Sequence, residues 1–415
     1  MDPGSSSFSI GYLSPGWPLD AHSNGVISYV ADMADQMKRM GHRVTIVADD
    51  VVGEAPGTPV YDVPLAPQSR RLGQRVLEGI AYRIAPRWSI DQIGCRPMVK
   101  VIRRAIAEQG VQIFEMEEAF GRAASVCKAI SIPLCVRLHG PWFLNGEVEG
   151  VVEDRESQWR VRREGQAIAT ADAVSSSSRD VLERTRAYYN LALHDAEVIY
   201  PPSCSVLPAE HWRLEECIPN QVLFVGRFDR HKGGDLVIEA FGRVLREVPR
   251  AQLIFAGLDL GFTDSDGRLW RLEEFVRDRL PGALESGQIS LLGRMPSSAL
   301  AVLRRKAMVT IVCSRYENAP RVVIEAMSLG CPIVAARVGG IPELLEDGWD
   351  GLLHRAEDPD NLAARILSLL NNPARAAELG RNAAATCERR FHPEIIARQT
   401  VAFYRRFIRD RGRIA

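Results

Sequence analysis

The chain has 415 residues, more than one ordinary core accommodates, which predicts two domains of about 200 residues each. Its 46% hydrophobic and 25% charged residues are those of a water-soluble globular protein, and zero net charge gives nucleic-acid binding no global electrostatic support. No apolar run approaches the roughly 20 residues of a membrane span, and the N-terminus lacks the charged-then-apolar layout of a signal peptide. The eight cysteines form no Cys-x-x-Cys pair and have no His at zinc spacing, so reduced thiols and a cytoplasmic setting are expected.

Each half is predicted to run strand, glycine-bearing loop, helix, strand. Ser9–Leu13 reads as a short strand, followed by a Pro/Gly loop to Asn24-Gly25. Val26 to Met40 carries apolar residues at helical spacing, Gly41 ends that helix, and His42–Ala48 is the next strand. Gly25 would let a ligand approach the backbone at a helix start, although Asn24-Gly25 also reads as a plain turn. Residues 66–105 hold nine Arg or Lys against two acids, with Arg70, Arg71, Arg75 and Arg83 interleaved with Leu72, Val76, Leu77, Ile80 and Ile84. That pattern suits a helix lying on an anionic lipid surface at the inner face of a membrane, and equally a solvated helix face.

Further on, Glu117 and Glu118 follow strand-like sequence and would meet acceptor hydroxyls, with a solvated acidic loop as the plainer reading. His139 ends the apolar strand Pro133–Leu138, the edge that faces the crevice in open α/β sheets, where a structural histidine is the bland alternative. Extended Pro-rich sequence at Tyr200–Ser203 marks the boundary between halves. The second half opens on Gln221–Gly226 and continues with buried strands at Leu253–Ala256, Ile289–Leu292, Val309–Val312 and Pro332–Ala335. Apolar runs alternating with helices imply parallel sheets covered on both faces. Asp264-Ser-Asp266 is expected to cap the following helix rather than bind a metal, and Ile395–Ile408 is a basic amphipathic helix.

The chemistry concentrates in the second half. Gly226 closes a strand, Arg227 follows, and Lys232-Gly233-Gly234 opens a helix, gathering two cations and unpaired amides suited to a diphosphate. Two solvated surface cations are the alternative. Glu317 and Glu325 stand eight residues apart around a helix start, with Pro320 expected at the first helical position. Acids near a helix N-terminus often serve only its dipole. Followed by Gly330-Cys-Pro332 and Gly339-Gly340, the pair is more specific. Gly-x-Gly-x-x-Gly occurs nowhere, which argues against a dinucleotide oxidoreductase.

Together these residues resemble the retaining glycosyltransferases of family four, which have the GT-B fold. The likeness is carried by Phe-Val-Gly226-Arg227, Lys232-Gly233, Gly257, Gly293-Arg294, Glu317 to Glu325-Ala-Met, Gly330-Cys-Pro332 and Gly339-Gly340-Ile-Pro-Glu343. The resemblance implies an α/β architecture of two Rossmann-like, doubly wound domains facing a cleft, at 1–200 and 201–394, with helix 395–415 crossing back to the first. It implies transfer of a sugar from a nucleoside-diphosphate sugar to a glycan or lipid-linked hydroxyl acceptor, with no metal and no further cofactor. Arg227 and Lys232 would neutralise the leaving diphosphate, Glu325 would hold the ribose, and Glu317 and His139 the transferred sugar. Gly25 would approach the phosphates, with Gly226 beside them and Gly293-Arg294 near the base. Pro320 has no N–H, so sugar contacts there fall to Asn318, Ala319, Arg321 and Val322. The alternatives are a GT-B sugar-nucleotide epimerase and an inactive sugar-nucleotide-binding relative.

Overall fold

Alternating apolar strands and amphipathic helices build two parallel sheets. The computed structural model describes residues 7–19, 22, 24–53, 57–63, 95–150 and 154–411. The first sheet holds β1 (Ser9–Ser14), β2 (Arg43–Ala48), β3 (Val60–Asp62), β4 (Ile113–Glu117), β5 (Leu134–Leu138), β6 (Ala173–Ser176) and β7 (Glu197–Val198). Their order is β3-β2-β1-β4-β5-β6-β7. The second holds β8 (Gln221–Val225), β9 (Gln252–Ala256), β12 (Ile289–Gly293), β13 (Val309–Val312), β14 (Ile333–Ala336) and β15 (Leu352–His354), in the order β12-β9-β8-β13-β14-β15. Between β9 and β12 the chain forms a small antiparallel hairpin, β10 (Phe262–Thr263) and β11 (Leu269–Trp270).

Helices α1 (Gly25–Arg39), α2 (Arg96–Gln109), α3 (Ala123–Cys127), α4 (Trp142–Glu149), α5 (Arg155–Thr170) and α6 (Arg179–Tyr189) belong to the first half. The second contributes α7 (Gly234–Glu247), α8 (Leu272–Arg279), α9 (Ser297–Lys306), α10 (Arg321–Ser328), α11 (Ile341–Leu344), α12 (Pro359–Leu370) and α13 (Pro373–Phe391). The last helix, α14 (Pro393–Arg411), starts two residues earlier than its apolar spacing suggests because Pro393 suits a helix start.

Every residue of β1 is buried, and its side chains alternate between two cores. Ile10 and Tyr12 pack with Tyr29, Met33 and Met37 of α1, whereas Leu13 joins Phe114, Met116 and Ile102 on the opposite face. Burial on both faces explains the near-continuous apolar runs. Ile396, Ala397, Val401, Phe403 and Tyr404 of α14 complete the core shared with α1, so the chain's last helix closes the first sheet. The Tyr404 hydroxyl donates to buried Glu115 at 2.6 Å, and Tyr29 donates to the same carboxylate at 3.0 Å. Tyr404→Phe is therefore expected to destabilise the protein by about 1–3 kcal/mol. Urea unfolding would register this, and an unchanged midpoint would refute it.

One local expectation is corrected. Asp264 does not cap a helix: its Oδ1 accepts from the amides of Asp266 and Arg268, and its Oδ2 from Trp270 Nε1, so it organises the β10–β11 turn. The start of α8 is instead served by Asp259, which accepts from Leu272 N at 3.0 Å. Of the basic stretch, residues 66–94 lie outside the described residues, with Arg70, Arg71, Arg75 and Arg83 among them. Among the described residues no helix is long and apolar enough to cross a membrane, and Cys135, Cys204, Cys217, Cys313, Cys331 and Cys387 are free thiols.

Candidate active site

In open parallel sheets a ligand crevice forms beyond the strands' C-terminal ends, where the strand order reverses direction. The reversals fall between β1 and β4 in the first sheet and between β8 and β13 in the second. Residues from both halves line one cleft of about 1080 Å³. Of the residues singled out from the sequence, Gly25, His139, Gly226, Arg227, Lys232, Arg294, Glu317, Asn318, Ala319, Arg321, Val322 and Glu325 all line it. Gly293 is not among the lining residues: it ends β12, and only the next residue, Arg294, reaches the cleft.

The cationic side is built by the turn after β8. Gly233 caps α7 in a left-handed conformation with φ of 70°, and a Cβ there would stand 2.2 Å from the Cys313 carbonyl oxygen. Only glycine lets α7 start against β13 in this way. Asp229 fastens the turn by accepting from Lys232 N at 2.7 Å, and it also pairs with Arg227 Nε at 2.6 Å. Lys232 Nζ lies 2.5 Å from Glu317 Oε1, which also accepts from Ser314 Oγ at 2.7 Å. Burial works to raise the Glu317 carboxyl, but Lys232, His231 and Ser314 outweigh it and hold it below the usual range. Glu317 is thus an anion locked to a cation at the cleft wall.

Glu325 stands on α10, which begins at Arg321. Pro320 takes the N-cap rather than the first helical position, with ψ of 122°. Glu325 Oε2 accepts from Arg304 Nη2 at 2.7 Å, and Arg304 is only 3% exposed. One turn earlier, Arg321 crosses to α1 and pairs with Asp32 at 2.7 Å. Burial raises the Asp32 carboxyl in spite of that partner. Asn318 also reaches the first half: its Nδ2 donates to Ser177 Oγ and to the Leu138 carbonyl, and its Oδ1 accepts from Ser178 Oγ at 2.6 Å. The side chain of Asn318 is thereby occupied in joining the halves. Gly340 packs under this loop, where a Cβ would stand 1.9 Å from the Asn318 carbonyl oxygen.

The first half contributes the opposite wall. Asn24 caps α1, its side chain accepting from Val26 N at 2.8 Å, so Asn24-Gly25 is a helix start and not a turn. A Cβ on Gly25 would meet nothing within 4 Å, which leaves cleft space directly against the backbone. His139 sits at the end of β5 with its ring 5.3 Å from that of Tyr29. Burial, with Arg137 nearby, pushes its pKa down to about 3, so His139 is a neutral imidazole. Glu117 and Glu118 are not lining residues, contrary to the acceptor contacts expected from their position. Glu118 is buried and accepts from the amides of His139 and Gly140, and Glu117 pairs with Arg122.

Other residues that shape the cleft were not singled out as site residues from the sequence; of these Arg304 lines it, whereas Asp229, Asp32 and Glu343 hold lining residues or the two halves in place. Asp229 had a faint local signal, an acid two residues beyond Arg227. Arg304 is concealed within Arg304-Arg305-Lys306, which reads as a solvated basic helix end. Asp32 had none, and Glu343 stood only as the last residue of the Gly339-Gly340-Ile-Pro-Glu343 motif, with no role attached. Glu343 accepts from the amides of Arg179 and Asp180 at the start of α6 and from the Tyr200 hydroxyl, pinning one half to the other.

Residues 23–202 match the family described as Glycosyltransferase Family 4, and residues 214–386 that described as Glycosyl transferases group 1. Over 163 residues the chain is 34% identical to an uncharacterised glycosyltransferase of Methanocaldococcus jannaschii, a stretch covering 39% of this chain and 41% of that one. Over 391 residues it is 26% identical to a D-inositol 3-phosphate glycosyltransferase of Nocardiopsis dassonvillei, covering 87% of this chain and 86% of that one. The fold superposes on Anabaena HepE, solved in complex with UDP and glucose, with a TM-score of 0.67 at 19% identity over 95% of this chain and 98% of HepE. With both halves matched in order and two facing parallel sheets, the chain belongs to the family-four glycosyltransferases and has the GT-B fold.

Proposed function

We propose that the protein transfers a sugar from a nucleoside-diphosphate sugar to a hydroxyl acceptor with retention of anomeric configuration. The observation that carries this reading is the convergence of Arg227, Lys232, Glu317 and Glu325 from one sheet with Gly25 and His139 from the other on a single cleft. The UDP and glucose bound by HepE support the donor class. In the reaction, the bond between the anomeric carbon and the diphosphate oxygen breaks, and the diphosphate leaves with the bonding pair. Arg227 and Lys232 stabilise the charge that develops there, a task assigned here to side chains rather than to a metal ion. The acceptor oxygen bonds to the same face of the anomeric carbon and passes its proton to the departing phosphate oxygen. Glu325 holds the ribose diol, and neutral His139 holds a sugar hydroxyl.

Among the described lining residues of the first half, Glu149 is the charged one apart from histidines, beside Asn145, Ser28 and Ser177. Carboxylate, amide and hydroxyl groups favour a neutral, hydroxyl-rich acceptor such as a glycan over the inositol phosphate named for the Nocardiopsis relative. Contact of residues 66–105 with anionic lipid belongs to the same proposal. Arg96, Lys100 and Arg103 lie together around one hollow beside α2. Salt-independent failure to float with anionic liposomes would remove that contact.

A donor panel of UDP-, GDP-, ADP- and dTDP-sugars tests the central reading. The matching donor at 100 times its Kd is expected to add about 2.7 kcal/mol of stability in a thermal shift. NMR of the product is expected to show the donor's anomeric configuration. An inverted product, or no shift with any member, would sink the proposal.

A further inference from the structure

The loop that carries His139 is gripped from beneath by two buried carboxylates. Glu118 Oε1 accepts from His139 N at 3.1 Å and from Gly140 N at 2.8 Å, and its Oε2 also lies 3.0 Å from His139 N. Glu164 continues the grip, with Oε2 accepting from Trp142 N at 2.6 Å. Its Oε1 accepts from Phe120 N and Arg160 Nε, which ties the turn after Glu118 to the same point on α5. Glu118 is 2% exposed and Glu164 is fully buried. Burying carboxyl groups is costly unless their hydrogen bonds are made, so these two are expensive devices for shaping a loop.

Three further features show that the loop conformation is imposed. Phe120 has φ of 58°, a left-handed value that a bulky side chain resists. Gly140 has φ of 127°, and a Cβ there would press to 2.9 Å from Asn145 Nδ2. That same Nδ2 donates to the Gly140 carbonyl at 2.7 Å. The backbone at His139 and Gly140 is therefore held by both residues' N–H groups and by the Gly140 carbonyl.

We propose that Glu118 is a positioning residue for sugar transfer: it fixes the His139–Gly140 backbone and thereby aims the His139 ring into the cleft. This inference rests on the reading above, in which His139 contacts the transferred sugar. Oε1 alone accepts from both amides, so the loop needs an oxygen at one point in space rather than a negative charge. Burial pushes the Glu118 carboxyl up to about 8, in keeping with a role that does not depend on charge at neutral pH. Glutamine carries an equivalent oxygen at the same reach. Aspartate keeps the acid but withdraws it by one methylene.

Glu118→Gln and Glu118→Asp therefore separate positioning from charge. The first readout needs no substrate: the His139 ring signals in histidine-labelled protein, identified by their loss in His139→Ala. They are expected to stay in place in Glu118→Gln and to move in Glu118→Asp. The second readout is turnover on the UDP-, GDP-, ADP- and dTDP-sugar panel. Glu118→Asp and Glu118→Ala are expected to lower kcat about 30-fold with donor KM within about twofold, and Glu118→Gln to stay within about threefold of the unmodified protein. Glu118→Ala in a His139→Ala background is expected to add no further loss, because two groups acting as one unit are not additive.

Normal behaviour of Glu118→Asp with failure of Glu118→Gln would overturn the proposal, as would losses that multiply in the double variant. If Glu118→Ala does not fold, the Gln and Asp pair still decides. Normal turnover in His139→Ala would instead remove the assigned role of His139, an outcome distinguishable from failure of Glu118 alone.

Discussion

Lys232→Ala is expected to lower turnover by at least about 100-fold, the scale on which removing one stabiliser of developing charge acts. The ammonium stands in the turn at the start of α7, where unpaired helix amides add their own positive end. Its present partner is Glu317, 2.5 Å away. Truncation would remove a cation from the leaving group and also strand a carboxylate that is 8% exposed. The second effect has a pH signature. Glu317 has a folded-state pKa below its usual value, so its contribution to stability is present above the unfolded value and is lost as pH falls through the folded one. Without Lys232 burial would dominate, so the truncated protein should lose that near-neutral advantage.

Arg227→Ala is the control that separates the two effects. The Arg227 side chain is 44% exposed beside Asp229, so its loss should leave stability almost unchanged. Turnover is still expected to fall by about 100-fold. Steady-state rates and urea midpoints on both variants decide the matter. Near-normal rates in either would remove its assigned role, and equal destabilisation in both would mean the Lys232–Glu317 pair is no more than a surface bridge.

Much of the architecture follows from local pattern. The apolar runs at β8, β9 and β13 and the glycine after β8 are visible because a doubly buried parallel strand admits almost nothing else. Gly233 is visible because the helix start needs a left-handed residue against a neighbouring strand. Residues whose partners come from a distant segment gave no such sign. Glu118 follows a strand and looks like an acid for solvent or ligand, and nothing local shows that the amides after β5 come to rest on it. Asn318 reads as a donor contact in a loop, and only the meeting of the halves shows its amide spent on Ser177 and Ser178. Arg321 likewise gains its meaning from Asp32, nearly three hundred residues away in the chain.

These crossings give the loop before α10 two structural duties. The segment Glu317–Arg321 presents the carboxylate held by Lys232, and it also bridges to the strand end that carries His139. Asn318 donates to the carbonyl of Leu138, directly before His139, so a shift of this loop would be felt at the end of β5.

Glu325→Ala is expected to have the other large effect, divided between binding and stability. A carboxylate receiving two ribose hydroxyls makes charge-assisted hydrogen bonds, and losing both should raise donor KM by about 100-fold or more while leaving much of kcat. The same substitution leaves Arg304, 3% exposed, without its 2.7 Å partner. Breaking a buried pair from one side costs about 3 kcal/mol, so the melting temperature should fall by roughly 6–10 °C. Glu325→Gln keeps an oxygen for Arg304 and for one hydroxyl, and should recover most of the stability but only part of the affinity. Arg304→Met in the Ala background then tests the cause. Removing the stranded guanidinium should restore stability without restoring donor affinity, because the lost affinity belongs to the ribose contact. Recovery of both would mean that Glu325 serves Arg304 alone, and the ribose would need another partner.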